Sequence, residues 1–216
     1  MAIKKYTKGA GKQLSENFNQ KEFDCNCSCK NPTLIDTELV KWLQAIRDLA
    51  GKPVIITSAY RCPTYNTSPS VGGVKNSKHC LGMAADIQIK GLTPNEIAQL
   101  AEKVGCRGIL RYTGPTNFVH IDTRPSKYKG YTTTNGRTFT AVSSFFTTVK
   151  LGSKGDAVKL LQTKLKKLGY KGKDGKELVC DGVFGVNTEY ALKNFQKKMK
   201  LEADGIAGPK TWAKLF

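Results

Sequence analysis

The chain has 216 residues, enough for two modest domains or one large one, and 39% of them are apolar, an ordinary share for packed cores. Lys and Arg number 35 against 17 Asp and Glu, a formal charge of +18 carried by both parts, with 20 basic and 10 acidic residues in 1–148 and 15 and 7 in 149–216. No stretch approaches the roughly 18 consecutive apolar residues of a membrane helix, which excludes a helical span, and the positive field selects polyanions as partners.

Met1-Ala2-Ile3-Lys4-Lys5 begins with the basic residues of an export signal, but no apolar run follows. That predicts a chain made in the cytoplasm without a classical signal peptide. Seven cysteines, an odd number, fit a reducing compartment better than a disulfide framework. Cys25, Cys27 and Cys29 offer thiolates to a metal. Their two-residue steps are not the familiar Cys-x-x-Cys clamp, and a fourth ligand must come from afar, so a structural zinc there is not the expected reading.

From Asp36 the pattern turns helical: Leu39, Leu43, Ile46 and Ala50 recur at helical spacing, with Asp36 as N-cap and Gly51 as stop. Pro53-Val54-Ile55-Ile56-Thr57 reads as a buried strand. A Gly- and Ser-rich loop, 67–77, leads to His79, and Asp86-Ile87-Gln88-Ile89 reads as another strand. Thr93-Pro94-Asn95-Glu96 has the form of a capping box with Pro at the first helical position, opening a helix that stops at Gly105. Gly108–Tyr112 and Phe118–Asp122 read as paired strands joined by a turn around Gly114-Pro115.

After Arg124 the composition turns polar and Thr/Ser-rich over 131–148, read as a linker. Beyond Val149, Val158, Leu161, Leu165 and Leu168 form one helical stripe, and Ala191, Leu192, Phe195 and Met199 another. The form Asp-Gly-x-x-Gly-x-x-Thr occurs at Asp181–Thr188 and again at Asp204–Thr211. Gly supplies a positive-φ turn there, and Asp and Thr cap the next helix.

The two histidines of the chain carry the chemistry. Two imidazoles and one carboxylate leave a fourth zinc position open for water, and His79, Asp86 and His120 supply that set. Gly82, Ala84 and Ala85 are small enough to let backbone approach a metal. On a strand, residues two apart share a face, so Asp122 projects beside His120. Asp122 is then either the general base for the attacking water or the partner that orients a ligand, and a plain pairing with Arg124 competes with both. Arg61, just past a strand end, can neutralise an oxyanion or hold a substrate carboxylate, against a plain surface ion pair. No third histidine remains to activate Cys62 or Cys80, so cysteine-peptidase chemistry is not expected.

Ser77-x-His79-x-x-Gly82-x-Ala84-x-Asp86, with His120-x-Asp122 and an upstream Tyr60-Arg61, resembles the zinc D-alanyl-D-alanine metallopeptidases. That group includes D,D-carboxypeptidases, dipeptidases and phage endolysins that cut L-alanyl-D-glutamate bonds. The similarity spans roughly Leu14 to Arg124. It implies one catalytic zinc ion held by His79, Asp86 and His120, transition-state stabilisation by Arg61, and a substrate pocket containing Ser77, Arg61 and Tyr60. Several members place Glu or His two or three residues before the last ligand. Here those positions hold Asn117 and Phe118, which moves the expected base to Asp122, with Glu102 or a substrate carboxylate behind it. The C-terminal 68 residues resemble the peptidoglycan-binding domain of cell-wall hydrolases, with Phe184, Phe195 and Trp212 read as core.

No helix-turn-helix, ribonucleoprotein or zinc-finger pattern accompanies the charge, and Arg, the base-reading residue, is absent after Arg137. Nucleic acid is therefore not an expected partner; peptidoglycan and anionic wall polymers are. The expected architecture is an α+β zinc peptidase domain with a small antiparallel sheet (1–130), a linker (131–148) and an all-α three-helix module (149–216). The expected protein is a monomeric peptidoglycan peptidase, most simply an endolysin reaching the wall by holin-type release. An autolysin exported non-classically, a D,D-carboxypeptidase, or a non-catalytic wall binder with structural zinc are the alternatives.

Overall fold

The computed structural model describes residues 2–113, 117–132 and 138–215, and the chain divides into one unit up to Phe145 and another from Phe146. The first unit opens with β1 (Ile3–Tyr6) antiparallel to β2 (Thr33–Asp36). Asp36 then caps α1 (Thr37–Ala50), its carboxylate accepting the Glu38 amide at 3.0 Å, and Gly51 closes the helix in the left-handed region. β3 (Val54–Ser58), the short α2 (Pro63–Asn66) and β4 (Ala84–Ile89) follow. α3 (Pro94–Val104) carries the predicted Thr93/Glu96 capping box and ends at Gly105. β5 (Gly108–Tyr112), β6 (Phe118–Asp122), β7 (Tyr128–Thr132) and β8 (Thr140–Ala141) complete the unit.

The main sheet has the order β3-β4-β6-β5-β7-β8. It is larger than the small antiparallel sheet expected, and mixed. β6 ends opposite Gly108, and β7 begins opposite the same residue on the other side of β5, so β7 must run parallel to β5. The stretch expected as a linker therefore gives Tyr131 and Thr132 to β7 and Thr140–Ala141 to β8, and Phe145 and Phe146 are buried. Threonine is as much a strand former as a linker residue, so composition alone misled. Residues 133–137, and the turn expected around Gly114-Pro115, lie outside the described residues. β3 was read as buried, but it is the sheet edge, and Ile55 is 50% exposed.

One face of the sheet buries Ala85, Ile87 and Ile89 of β4, Ile109 of β5, and Val119 and Ile121 of β6. α3 packs on β4, β5 and β6, and α1, whose Leu39, Leu43 and Ile46 are buried, packs on α3. The period-two alternation sends Ser58, Asp86, His120 and Leu110 to the opposite face as one cross-strand row. A bulge between Ile56 and Ser58 brings Ser58 into that row.

Arg107 ties α1 to the segment after β6. It donates two parallel hydrogen bonds to Glu38, both 2.7 Å, and others to the carbonyls of Thr123 and Arg124. The Arg107 hydrogen bonds hold the Glu38 carboxyl below its ordinary value. A carboxyl depressed by folding stabilises the native state above its unfolded pKa, and the contribution fades as pH falls through the folded pKa. The melting-temperature gap between the wild type and Glu38→Gln should therefore be widest near neutrality and close as pH falls from there through and below the ordinary Glu value of about 4.3. A gap that is constant over that range would remove the ion pair from the stability of this unit.

The second unit contains α4 (Asp156–Lys167), α5 (Val186–Lys198) and α6 (Pro209–Leu215). Val158, Leu161, Leu165, Ala191, Leu192, Phe184, Phe195 and Trp212 share one core, as predicted. Leu168, placed on the α4 stripe, instead follows the last turn and is 52% exposed. The two Asp-Gly loops are each read by a buried glutamine. Gln162 Nε2 donates to Asp181 Oδ1 (2.9 Å), the Val183 carbonyl (3.0 Å) and Thr188 Oγ1 (3.2 Å), while its Oε1 accepts from the Gly182 amide (2.9 Å). Gln196 repeats the pattern with Asp204, Ile206, Thr211 and the Gly205 amide.

Candidate metal centre

His79 sits in a 3-10 turn, Lys78–Leu81, that Ser77 opens and Gly82 closes. Ser77 Oγ accepts the His79 amide at 3.3 Å. Gly82 adopts φ +69, and a Cβ there would stand 2.4 Å from the Leu34 backbone, so glycine is required on both counts. The turn delivers His79 over the row containing Asp86 and His120. Donor atoms of His79, Asp86 and His120 all lie within 4.8 Å of one another, and all three side chains are buried.

The hydrogen-bond partners show which imidazole nitrogen each histidine turns inward. His79 Nδ1–H donates to the Ala59 carbonyl at 2.6 Å, which leaves Nε2 facing His120 Nδ1 (3.1 Å) and Asp86 Oδ1 (3.3 Å). His120 Nε2–H donates to Asp122 Oδ2 at 3.1 Å, so Nδ1 is the nitrogen turned inward, 2.9 Å from Asp86 Oδ1. Arg61 holds the outer oxygen of Asp86 through Nη2, and its Nε donates to Ser58 Oγ at 2.8 Å. Two imidazole nitrogens and one carboxylate oxygen converge, each braced from behind, and that is the donor set of a zinc site with an open position.

The electrostatics agree with a cation. Burial works against charge on Asp86, yet the two histidines outweigh it and keep the carboxyl well below its usual range. Burial likewise opposes a charged His120, but the hydrogen bonds to Asp122 and Asp86 prevail and push it up to about 9. A pocket that favours positive charge this strongly suits a divalent ion, which replaces the proton when it binds.

Residues 16–122 match the family model described as Peptidase M15, and residues 154–215 match that of a putative peptidoglycan binding domain. Residues 16–122 are a Peptidase M15 domain. Among curated relatives, the zinc D-Ala-D-Ala carboxypeptidase of Streptomyces albus G is 45% identical over 69 residues, covering 32% of this chain and 26% of the relative. The peptidoglycan L,D-endopeptidase MepK of Escherichia coli K12 is 35% identical over 99 residues, covering 44% of this chain and 54% of the relative. A solved structure of a Burkholderia AP3 phage endolysin is 40% identical, covering 32% of this chain and 24% of that one, with a TM-score of 0.29. The chain spans about a quarter of the first curated relative and about half of the second. No helix among the described residues is long and apolar enough to cross a membrane.

Within the M15 domain two expected roles change. Asp122 was expected to act as base, but it lies behind His120 with no solvent exposure. Both of its oxygens are taken, by His120, by the Arg124 amide (3.0 Å) and by the Arg124 guanidinium. Arg124 and His120 outweigh burial and hold its carboxyl well below the usual range. Asp122 is thus the orienting partner of His120. The fallback Glu102 is also engaged, by Lys129 Nζ (2.7 Å) and the Phe145 amide (2.8 Å). Tyr60, expected against substrate, is 7% exposed and packs on Cys25 and Cys62. Ser77 Oγ accepts the His79 amide and so also positions that turn, which leaves its O–H free to donate.

Sequence reading missed Tyr112. It lies on the same sheet face as His120, stacked on Phe118 at 4.1 Å, and burial with the nearby Asp86 charge pushes its phenol up to about 12. Its period-two offset from Leu110 was the available signal.

Asp122 fits only because its strand neighbours are small. Ala84 stands opposite it on β4 and Gly108 opposite it on β5. A Cβ at Gly108 would fall 2.3 Å from the Asp122 carboxylate. Gly108→Ala should therefore dislodge Asp122 and weaken zinc by about 10–100-fold, measured by competition with a chromophoric chelator. Unchanged affinity would show that His120 keeps its aim without that brace.

Proposed function

We propose that this chain is a zinc-dependent peptidoglycan peptidase, hydrolysing peptide bonds of the cell-wall stem peptide or cross-link. The observation that carries the reading is the convergence of His79 Nε2, His120 Nδ1 and Asp86 Oδ1, with each imidazole's other nitrogen already committed. The M15 match and the neighbouring peptidoglycan-binding domain support the substrate class. One ion held there supplies Lewis acidity and lowers the pKa of water to about 7.

The chain's own residues do the rest. Ser77 and Gly82 set the turn that aims His79, and Asp122 with Arg124 aims His120. Arg61, its side chain 17% exposed, holds Asp86 in register and faces the site as a donor to a developing oxyanion. Tyr112 remains a protonated O–H donor on the same face. The second unit holds the protein to the wall, raising the local concentration of scissile bonds so that weak affinity at the catalytic site suffices. The charge of +18 adds attraction to anionic wall polymers. We read the whole as a monomeric lytic enzyme of endolysin type, acting at the wall after release.

Turbidity of purified Gram-positive walls tests this directly. Lysis should stop on adding a chelator and return with zinc, and mass spectrometry of the released fragments names the bond. Undiminished lysis in excess chelator would sink the metallopeptidase reading.

A further inference from the structure

Away from the histidines, the fold gathers four thiols that nothing in the peptidase chemistry uses. Cys25, Cys27 and Cys29 lie on an irregular bend, which draws their sulfurs closer than the roughly 6.6 Å between residues two apart on a strand. Cys62, far along the chain, arrives beside them as the N-cap of α2. The four sulfurs all lie within 4.8 Å of one another. Cys27 Sγ is central: 3.1 Å from Cys25 Sγ, 2.9 Å from Cys29 Sγ and 3.6 Å from Cys62 Sγ.

These separations are well beyond the ~2.05 Å of a disulfide. They approach the edge of a tetrahedral tetrathiolate, about 3.8 Å for a metal–sulfur bond of about 2.3 Å. A thiol is at best a weak hydrogen-bond donor, so four crowded together gain little from one another. Backbone amides instead offer hydrogen bonds to two of the sulfurs. The Cys62 amide points at Cys25 Sγ (3.2 Å) and the Tyr65 amide at Cys62 Sγ (3.4 Å). Lys8 Nζ, bonded to the carbonyls of Cys27 and Cys29, brings a cation alongside. Leu34, Tyr60 and Tyr65 pack around the cluster.

We propose that Cys25, Cys27, Cys29 and Cys62 form a second, structural zinc site of tetrathiolate type, which staples the 25–29 bend to the segment carrying Arg61. Soft thiolates in tetrahedral array select zinc over the hard cations. Binding releases the protons that the thiols still carry, and four thiolates around one zinc ion leave a net charge of −2 that Lys8 offsets in part. No redox step is involved. The site stands independently of the peptidase reading, because it shares no ligand with it.

The test is metal counting on the full chain, purified reduced and without chelator. The wild type should hold two zinc ions, His120→Ala one, and Cys27→Ser one. Because Cys27→Ser can unfold, cobalt substitution of His120→Ala gives a second readout. Intense thiolate-to-cobalt charge-transfer absorption should appear there, since a His/Asp site lacks sulfur and cannot produce it. The proposal is overturned if His120→Ala holds no metal and shows no such band. It is equally overturned if the four thiols of the native wild type react freely with a thiol reagent, or if its mass is lower by the hydrogens of a disulfide. Loss of lysis with both ions still bound would count against the peptidase reading while leaving this one intact.

Discussion

His120→Ala is expected to reduce kcat/KM on peptidoglycan fragments by about a thousandfold or more, the equivalent of about 4 kcal/mol of transition-state stabilisation. The substitution takes away one of three donors and also unpairs the group behind it. Asp122 would keep Arg124 but lose the imidazole N–H that it accepts now, at 3.1 Å. The informative comparison is Asp122→Asn, which leaves all three donor atoms in place. It should retain the metal with an affinity weaker by about 10–100-fold, and most of its turnover should return at saturating zinc. A general base would behave otherwise, with turnover lost at every zinc concentration. If Asp122→Asn binds zinc normally yet is inactive, the assignment of Asp122 as a purely orienting residue fails.

Gln162→Ala is expected to destabilise the second unit by about 3–4 kcal/mol, combining lost buried hydrogen bonds with a cavity. The side chain is 2% exposed and serves four backbone and side-chain groups of the Asp181–Thr188 loop. Truncation orphans the Gly182 amide in the interior. For a domain of this size each kcal/mol lowers Tm by roughly 4–8 °C, so the unit's transition should fall by about 15 °C or more. Gln196→Ala provides a replicate within the same chain, because Gln196 makes the same set of bonds to Asp204–Thr211. Losses below about 1 kcal/mol in both variants would mean that the loops hold their form without their glutamines. Calorimetry on the full chain resolves the question.

The donor triad was legible in the sequence because strand alternation and one compact loop suffice to assemble it. His120 and Asp86 need only be partners across adjacent strands, and the caps of α1 and α3 are local signals with fixed spacing. The role of Asp122 was not legible. Alternation puts Asp122 on the face of His120 but does not say which imidazole nitrogen it meets. That depends on the room left by Ala84 and Gly108, which arrive from two other strands. Tyr60 and Arg61 could not both face the pocket, since adjacent residues of an extended segment point opposite ways. Cys62 joined its three partners through tertiary structure that no spacing rule reaches. Gln162 and Gln196 were passed over because a polar residue in a helix ordinarily faces water.

Asp122 has no surface at all, while the chain around it carries a charge of +18. A field of that sign concentrates anions at the surface, each a competitor for any exposed cationic or hydrogen-bonding group. An accessible brace for His120 would be subject to exchange with those anions and to screening by their counterions. The brace used here is sealed in when the sheet closes. The aim of the histidine is therefore settled by folding and indifferent to the ionic company the surface keeps.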